Sequence, residues 1–155
     1  MEILIVYGSQ YGNTQRIAQA MAGALADEHT VSLVPAAAAT HLRGEDVDLL
    51  FVGAPTQMRG LRLLAQPFLA DLDARGFAGT PAVAFDTRMD MGPQTLESWV
   101  IARYLAGTGC HLIAEPESFL VLGMEGPLAP GEETRAADWA VAVVRQLEDA
   151  PAPIA

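Results

Sequence analysis

Cysteine is almost missing from this chain. Cys110 stands alone in 155 residues, which excludes an intrachain disulfide and a cysteine-based metal cluster. Histidine is scarce as well. His29, His41 and His111 are widely spaced and form no His-x-x-x-His or comparable metal pair. Basic residues are few, nine against nineteen acidic ones, for a formal net charge of −10 and a pI near 4.5. So acidic a surface repels nucleic acid and anionic membrane and steers toward basic partners. No apolar run is long enough to cross a bilayer without a charge or a breaker, so membrane insertion is not expected. Met1-Glu2-Ile3 leads straight into a strand with no basic region before it, and the expectation is a cytoplasmic protein without a secretory signal.

Apolar residues are abundant, 51% of the chain, enough for one core. The expected organisation is a single domain over 1–150 and a frayed Pro-containing tail over 151–155. Apolar runs Ile3–Val6, Thr30–Val34, Asp48–Ala54 and Pro81–Phe85 read as strands. A fifth begins at His111, breaks at Glu115-Pro116-Glu117 and resumes over 118–122, as an edge strand does at proline. Between them the spacing predicts helices. Ile17, Ala18, Met21 and Leu25 mark the first. Phe68, Leu69 and Leu72 mark another, opened by Pro67 and closed by Gly76. Leu96, Val100, Tyr104 and Leu105 mark a third, with Trp99 and Tyr104 read as packing residues. Ala136, Trp139, Ala140, Val143, Val144 and Leu147 mark the last. The segment 61–64 reads as a helical turn. Alternating strands and helices imply a parallel sheet covered on both faces.

Three loops then fall at the C-terminal edge of that sheet, over 8–14, 54–60 and 86–93, where such folds bind ligands. The first is the most informative. Ser9-Gln10-Tyr11-Gly12-Asn13-Thr14 links a buried strand to a helix whose free N–H groups face the turn. That arrangement attracts a phosphate, with Ser9, Asn13 and Thr14 as side-chain donors and Gly12 for close backbone approach. It is no Walker A loop, because the Gly-Lys-Ser/Thr ending is absent. Nor is it the dinucleotide fingerprint, since Gly8 and Gly12 enclose bulky Gln10 and Tyr11.

Tyr7, Ser9, Gly12 and Thr14 match the phosphate loop of flavodoxins, and the loop resembles it, with Tyr11 in place of the usual small hydroxyl residue. Gly53-Ala54-Pro55-Thr56 with Gly60 is similar to the second flavin-contacting loop of that family. Gln66-Pro67-Phe68-Leu69 sits where many flavodoxins start a helix with Pro-Phe, and Phe85 where their third loop begins. The resemblance covers nearly the whole chain, without the long insertion of some family members. It implies an α/β fold: a doubly wound three-layer sandwich with a five-stranded parallel sheet in the order 2-1-3-4-5. The implied cofactor is FMN. Its phosphate is expected in the 9–14 loop and its ring system between Pro55, Thr56, Gln57, Met58, Arg59, Gly60 on one side and Asp86, Thr87, Arg88, Met89 on the other.

Two departures stand out. Gln57 replaces a stacking aromatic, and the 86–91 loop has no aromatic at all. Met58, Met89 and Met91 offer thioether cover instead. Arg59 and Arg88 put cations beside the ring, where they favour its reduced, anionic form, unless Arg88 pairs with Asp86 or Asp90. The leading expectation is an FMN-containing electron carrier, a monomer or weak dimer, that meets redox protein partners through basic docking surfaces on their side. The alternatives are an FMN-dependent oxidoreductase acting on a quinone or other small acceptor, and a binding module that has lost FMN. A hydrolase is not supported, for no Gly-x-Ser-x-Gly elbow is present, and the Cys110–His111 neighbours point to opposite faces of a strand.

Overall fold

A computed structural model describes residues 1–56 and 64–151. Its elements follow in chain order: β1 (Glu2–Tyr7), α1 (Asn13–Leu25), β2 (Thr30–Pro35), β3 (Leu49–Pro55), α2 (Gln66–Leu69), β4 (Pro81–Met89), α3 (Glu97–Gly107), β5 (His111–Leu112), β6 (Glu117–Val121) and α4 (Glu132–Glu148). Single 3-10 turns lie at Ala36–Ala38 and Gly44–Asp46. No helix among the described residues is long and apolar enough to cross a membrane.

The strands pair in parallel in the order β2-β1-β3-β4-β5, with β6 also on β4. This is the doubly wound order expected from the resemblance. Its fifth position is shared by two short strands. β5 pairs Pro81 and Ala82 at the start of β4, and β6 pairs Phe85 to Met89 at its end. The break between them contains Pro116, which has no N–H to give a ladder.

Central strands are apolar on both faces because both faces are covered. Leu4, Val6, Leu50, Val52, Ala82 and Ala84 pack toward α2 and α3. Ile3, Ile5, Leu49, Phe51, Val83 and Phe85 pack toward α1 and α4. On that second face Trp139 meets Phe51, Phe85 and Phe119 edge-on, with centroids 5.8, 6.4 and 5.8 Å away. Each such pair contributes about 0.5–1.5 kcal/mol beyond buried area. Phe85 lies over Gly53, its register partner, where a Cβ would come within 2.2 Å of the ring. Gly53 is therefore a packing requirement of the two central strands.

Three expectations are corrected. β4 does not end at Phe85 but runs on to Met89, because β3 and β6 flank it and satisfy the backbone of its polar end. The helix opened by Pro67 stops after Leu69, well before Gly76. Ala70 is extended (ψ 132°), Asp71 has a φ of 56°, and the Arg75 guanidinium takes up the carbonyls of Phe68, Ala70, Ala39 and Leu42. Trp99 and Tyr104 are exposed, at 52% and 46%, since α3 buries its opposite stripe of Ser98, Ile101, Ala102 and Leu105.

The proposed turn over 61–64 falls mostly outside the described residues, as do Gln57, Met58, Arg59, Gly60 and most of the 151–155 tail.

Candidate functional site

The site is built where β1 gives way to α1. Gly8 N–H donates to the Gly53 carbonyl at 2.9 Å, so the first loop leaves the sheet beside β3. The Ser9 hydroxyl accepts from Gly12 N–H at 3.1 Å and closes a tight turn. Gly12 is the helix N-cap with φ 89°, a left-handed conformation that costs a side chain dearly. The first helical bond runs from Arg16 N–H to the Gly12 carbonyl, 3.0 Å. The N–H groups of Asn13, Thr14 and Gln15 precede it and have no partner within the helix. No acidic residue occupies the first turn. The positive end of the helix is thus left open to an anion.

Two other elements close on this loop. Thr14 Oγ1 lies 2.8 Å from Thr87 Oγ1 of β4, and both side chains are buried. Two hydroxyls carry two O–H donors, and their mutual bond uses one. The pair keeps a second donor for a ligand. Asn13 Nδ2 donates to the Glu125 carbonyl at 3.1 Å, which fastens the loop after β6 to the helix start.

A cleft opens between these parts. Ser9, Gln10, Tyr11, Asn13 and Thr14 line it from the first loop, Pro55 and Thr56 from the end of β3, and Thr87, Arg88 and Met89 from β4. Gln94, Val121 and Met124 line it too, and sequence reasoning missed them. The signal for Val121 was its register: opposite Met89, it brings the end of β6 to the same sheet edge. Gln94 Nε2 donates to the Met89 carbonyl at 2.9 Å and folds the third loop back on its strand. Of the site residues expected from sequence, Gly12 contributes backbone only, and Asp86 lies beneath the cleft rather than on it.

The flavodoxin domain family matches residues 4–79, which includes the whole first loop. Among solved structures, flavodoxin 1 from Bacillus cereus superposes with a TM-score of 0.77 at 17% identity, over 94% of this chain and 98% of that one. A flavodoxin from the domain Archaea gives 0.75 at 17%, over 96% and 99%. Flavodoxin 2 from Bacillus cereus gives 0.73 at 24%, over 94% and 99%. The fold of this chain is flavodoxin-like. No curated protein sequence matches it.

Within this flavodoxin-like frame, the electrostatics gather where α3 begins. Leu96, at its N-cap, offers no side-chain acceptor. The sheet supplies acceptors instead. Glu97 N–H donates to Thr56 Oγ1 at 2.9 Å, and Ser98 N–H to Asp86 Oδ2 at 2.9 Å. Asp86 is fully buried, and burial pushes its carboxyl above the usual carboxylate range. The Ser98 N–H and the hydroxyls of Ser98, Ser118 and Thr56 oppose that rise, although none of the hydroxyls reaches bonding geometry with Asp86 Oδ1. Glu97 is pushed up to about 7, by burial first and by the Asp86 charge second.

Arg88 points to the same side of β4 as Asp86 but does not pair with it. Its Nη1 lies 4.0 Å from Asp90 Oδ1, a side chain 83% exposed, and its buried Nε has no acceptor. A buried N–H without an acceptor costs about 1–3 kcal/mol, so this group favours any ligand that brings one. Among the described residues no cluster of His, Cys, Asp and Glu could hold a metal.

Proposed function

We propose that this chain binds FMN at the 9–14 loop and carries electrons between protein partners. The observation that carries the reading is the joining of an acid-free helix N-terminus with the Thr14–Thr87 hydroxyl pair, at the sheet edge where three chain segments meet. These donors suit a phosphate dianion without a lysine or arginine in the loop. Pro55, Thr56, Thr87, Arg88 and Met89 are the described groups that would hold the ring, and the unpaired Arg88 Nε would donate to one of its acceptors. Gln57, Met58, Arg59 and Gly60 are proposed to complete its other side. FMN, once bound, supplies reversible one- and two-electron chemistry.

The protein's share is to hold that group at an exposed edge. Tyr11 and Met124 line the cleft and are 44% and 60% exposed, so the rim offers an apolar contact for transient docking. The net charge of −10 favours partners with basic surfaces. The purified protein, or its apo form after incubation with FMN, is expected to show oxidised-flavin absorbance that bleaches on reduction and returns in air. A colourless protein that takes up no FMN contradicts the reading.

A further inference from the structure

The outward stripe of α3 is unusual for a solvent-facing helix surface. Trp99, Arg103 and Ala106 follow one another at four- and three-residue spacing, Trp99 is 52% exposed, and the buried Ala102 lies at the stripe's inner margin. Beside the stripe runs the segment 112–116, which leaves β5 at Leu112 and crosses the gap in β4 pairing before β6. Stripe and segment enclose an apolar groove of about 500 Å³. Its helical wall is alanine at Ala102 and Ala106, and Ala114 faces them, so a bulky side chain can enter. The bulky side chain at its margin is Trp99. Arg103 and Glu115 also line the groove, and neither makes an ion pair among the described residues.

In a two-fold contact, residue i meets residue j of the other copy, and j meets i. A patch that holds both a projecting ring and an alanine-lined recess, and both an unpaired cation and an unpaired anion, is its own complement. We propose that this face is the contact of a two-fold homodimer. Trp99 of each copy enters the recess of the other, and Arg103 pairs with Glu115 of the partner subunit. Large buried aromatics and guanidinium–carboxylate pairs are the groups that dominate such contacts. The groove lies next to a second one that reaches Gln94, a residue of the cleft, so the second copy stands beside the third loop without covering the 9–14 loop. No group proposed to hold FMN takes part, and the contact stands or falls independently of the cofactor.

Sedimentation velocity on the full chain, from about 1 to about 500 μM, tests this through the concentration dependence that mass action requires. The expected result is a shift from monomer to dimer within that range. Trp99→Ala is expected to weaken the dimer by at least about tenfold, while Trp99→Phe retains it. Arg103→Glu and Glu115→Arg are each expected to weaken it, and the variant carrying both reversals to recover to within about threefold of the parent, because the swapped pair is still complementary. All three positions are on the surface, and circular dichroism confirms that the variants fold. A chain that stays monomeric throughout overturns the proposal. So does a dimer unmoved by Trp99→Ala, or a double reversal no tighter than the single ones.

Discussion

Thr14 and Thr87 share a buried hydroxyl–hydroxyl bond of 2.8 Å between the start of α1 and the end of β4. It fastens the first loop to the third and leaves one O–H donor over. Thr14→Val or Thr87→Val alone strands a buried hydroxyl and is expected to cost about 1–3 kcal/mol of stability. The double variant is expected to cost less than the sum, since neither hydroxyl is then orphaned. FMN affinity behaves differently: it falls in both single variants and does not recover in the double. Urea unfolding and FMN titration on the same four proteins check the two patterns.

Gly12 has open space around its missing Cβ but a φ of 89°. Backbone strain is therefore the expected effect of substitution on the protein itself. Gly12→Ala should lower stability by about 1–2 kcal/mol and weaken FMN binding, and Gly12→Asn should do less of both, since Asn tolerates the left-handed region. Equal losses for Ala and Asn would count against the backbone explanation.

Glu97 and Asp86 make stability depend on pH in a stated direction. The folded state holds the Glu97 proton up to about 7, whereas an unfolded glutamate releases it near 4.5. Stability contributed by that proton is present below pH 4.5 and is lost as pH rises to about 7. Glu97→Gln lacks this loss. Its unfolding midpoint relative to the parent is expected to rise between those limits and to level off above. Asp86→Asn keeps an acceptor for Ser98 N–H and removes the charge, so it should move the Glu97 titration downward. Asp86→Ala removes the acceptor and should cost about 1–2 kcal/mol, as loss of a helix cap does.

Arg88 carries a buried Nε without an acceptor, and its contact with exposed Asp90 is long. An exposed ion pair of that kind contributes little. Arg88→Ala is therefore expected to lower the reduction potential of bound FMN by tens of millivolts, because the reduced ring is the more negative form. Asp90→Ala should leave it nearly unchanged. Spectroelectrochemistry on both variants, with binding measured separately, decides whether Arg88 acts on the ring or only shapes the loop.

Much of this architecture was legible in the sequence. Continuous apolar runs such as Leu49-Leu50-Phe51-Val52 declare a strand covered on both faces, and Gly12 between a strand and an amphipathic helix declares the loop. What misled was polarity inside an element. Asp86-Thr87-Arg88 reads as loop because its partners, Ser98 N–H, Thr14 and the β6 backbone, are remote in sequence. Trp99 reads as core because aromatics usually are, yet α3 turns it outward. The short α2 depends on Arg75 reaching back to four carbonyls, a long-range arrangement no local propensity encodes. Gln94 and Met124 entered the cleft only through the folding-back of loops on β4 and α1.

The central claim is that the backbone N–H groups of Asn13, Thr14 and Gln15, with the Thr14 and Thr87 hydroxyls, hold a phosphate. Titration of the apoprotein with FMN and with riboflavin, read by quenching of flavin fluorescence, tests it most directly, since the two ligands differ only in that group. The account predicts that FMN binds at least about a hundredfold more tightly, the ~2.7 kcal/mol that several charge-assisted hydrogen bonds readily supply. Equal affinity for the two, or no binding of either, would contradict it.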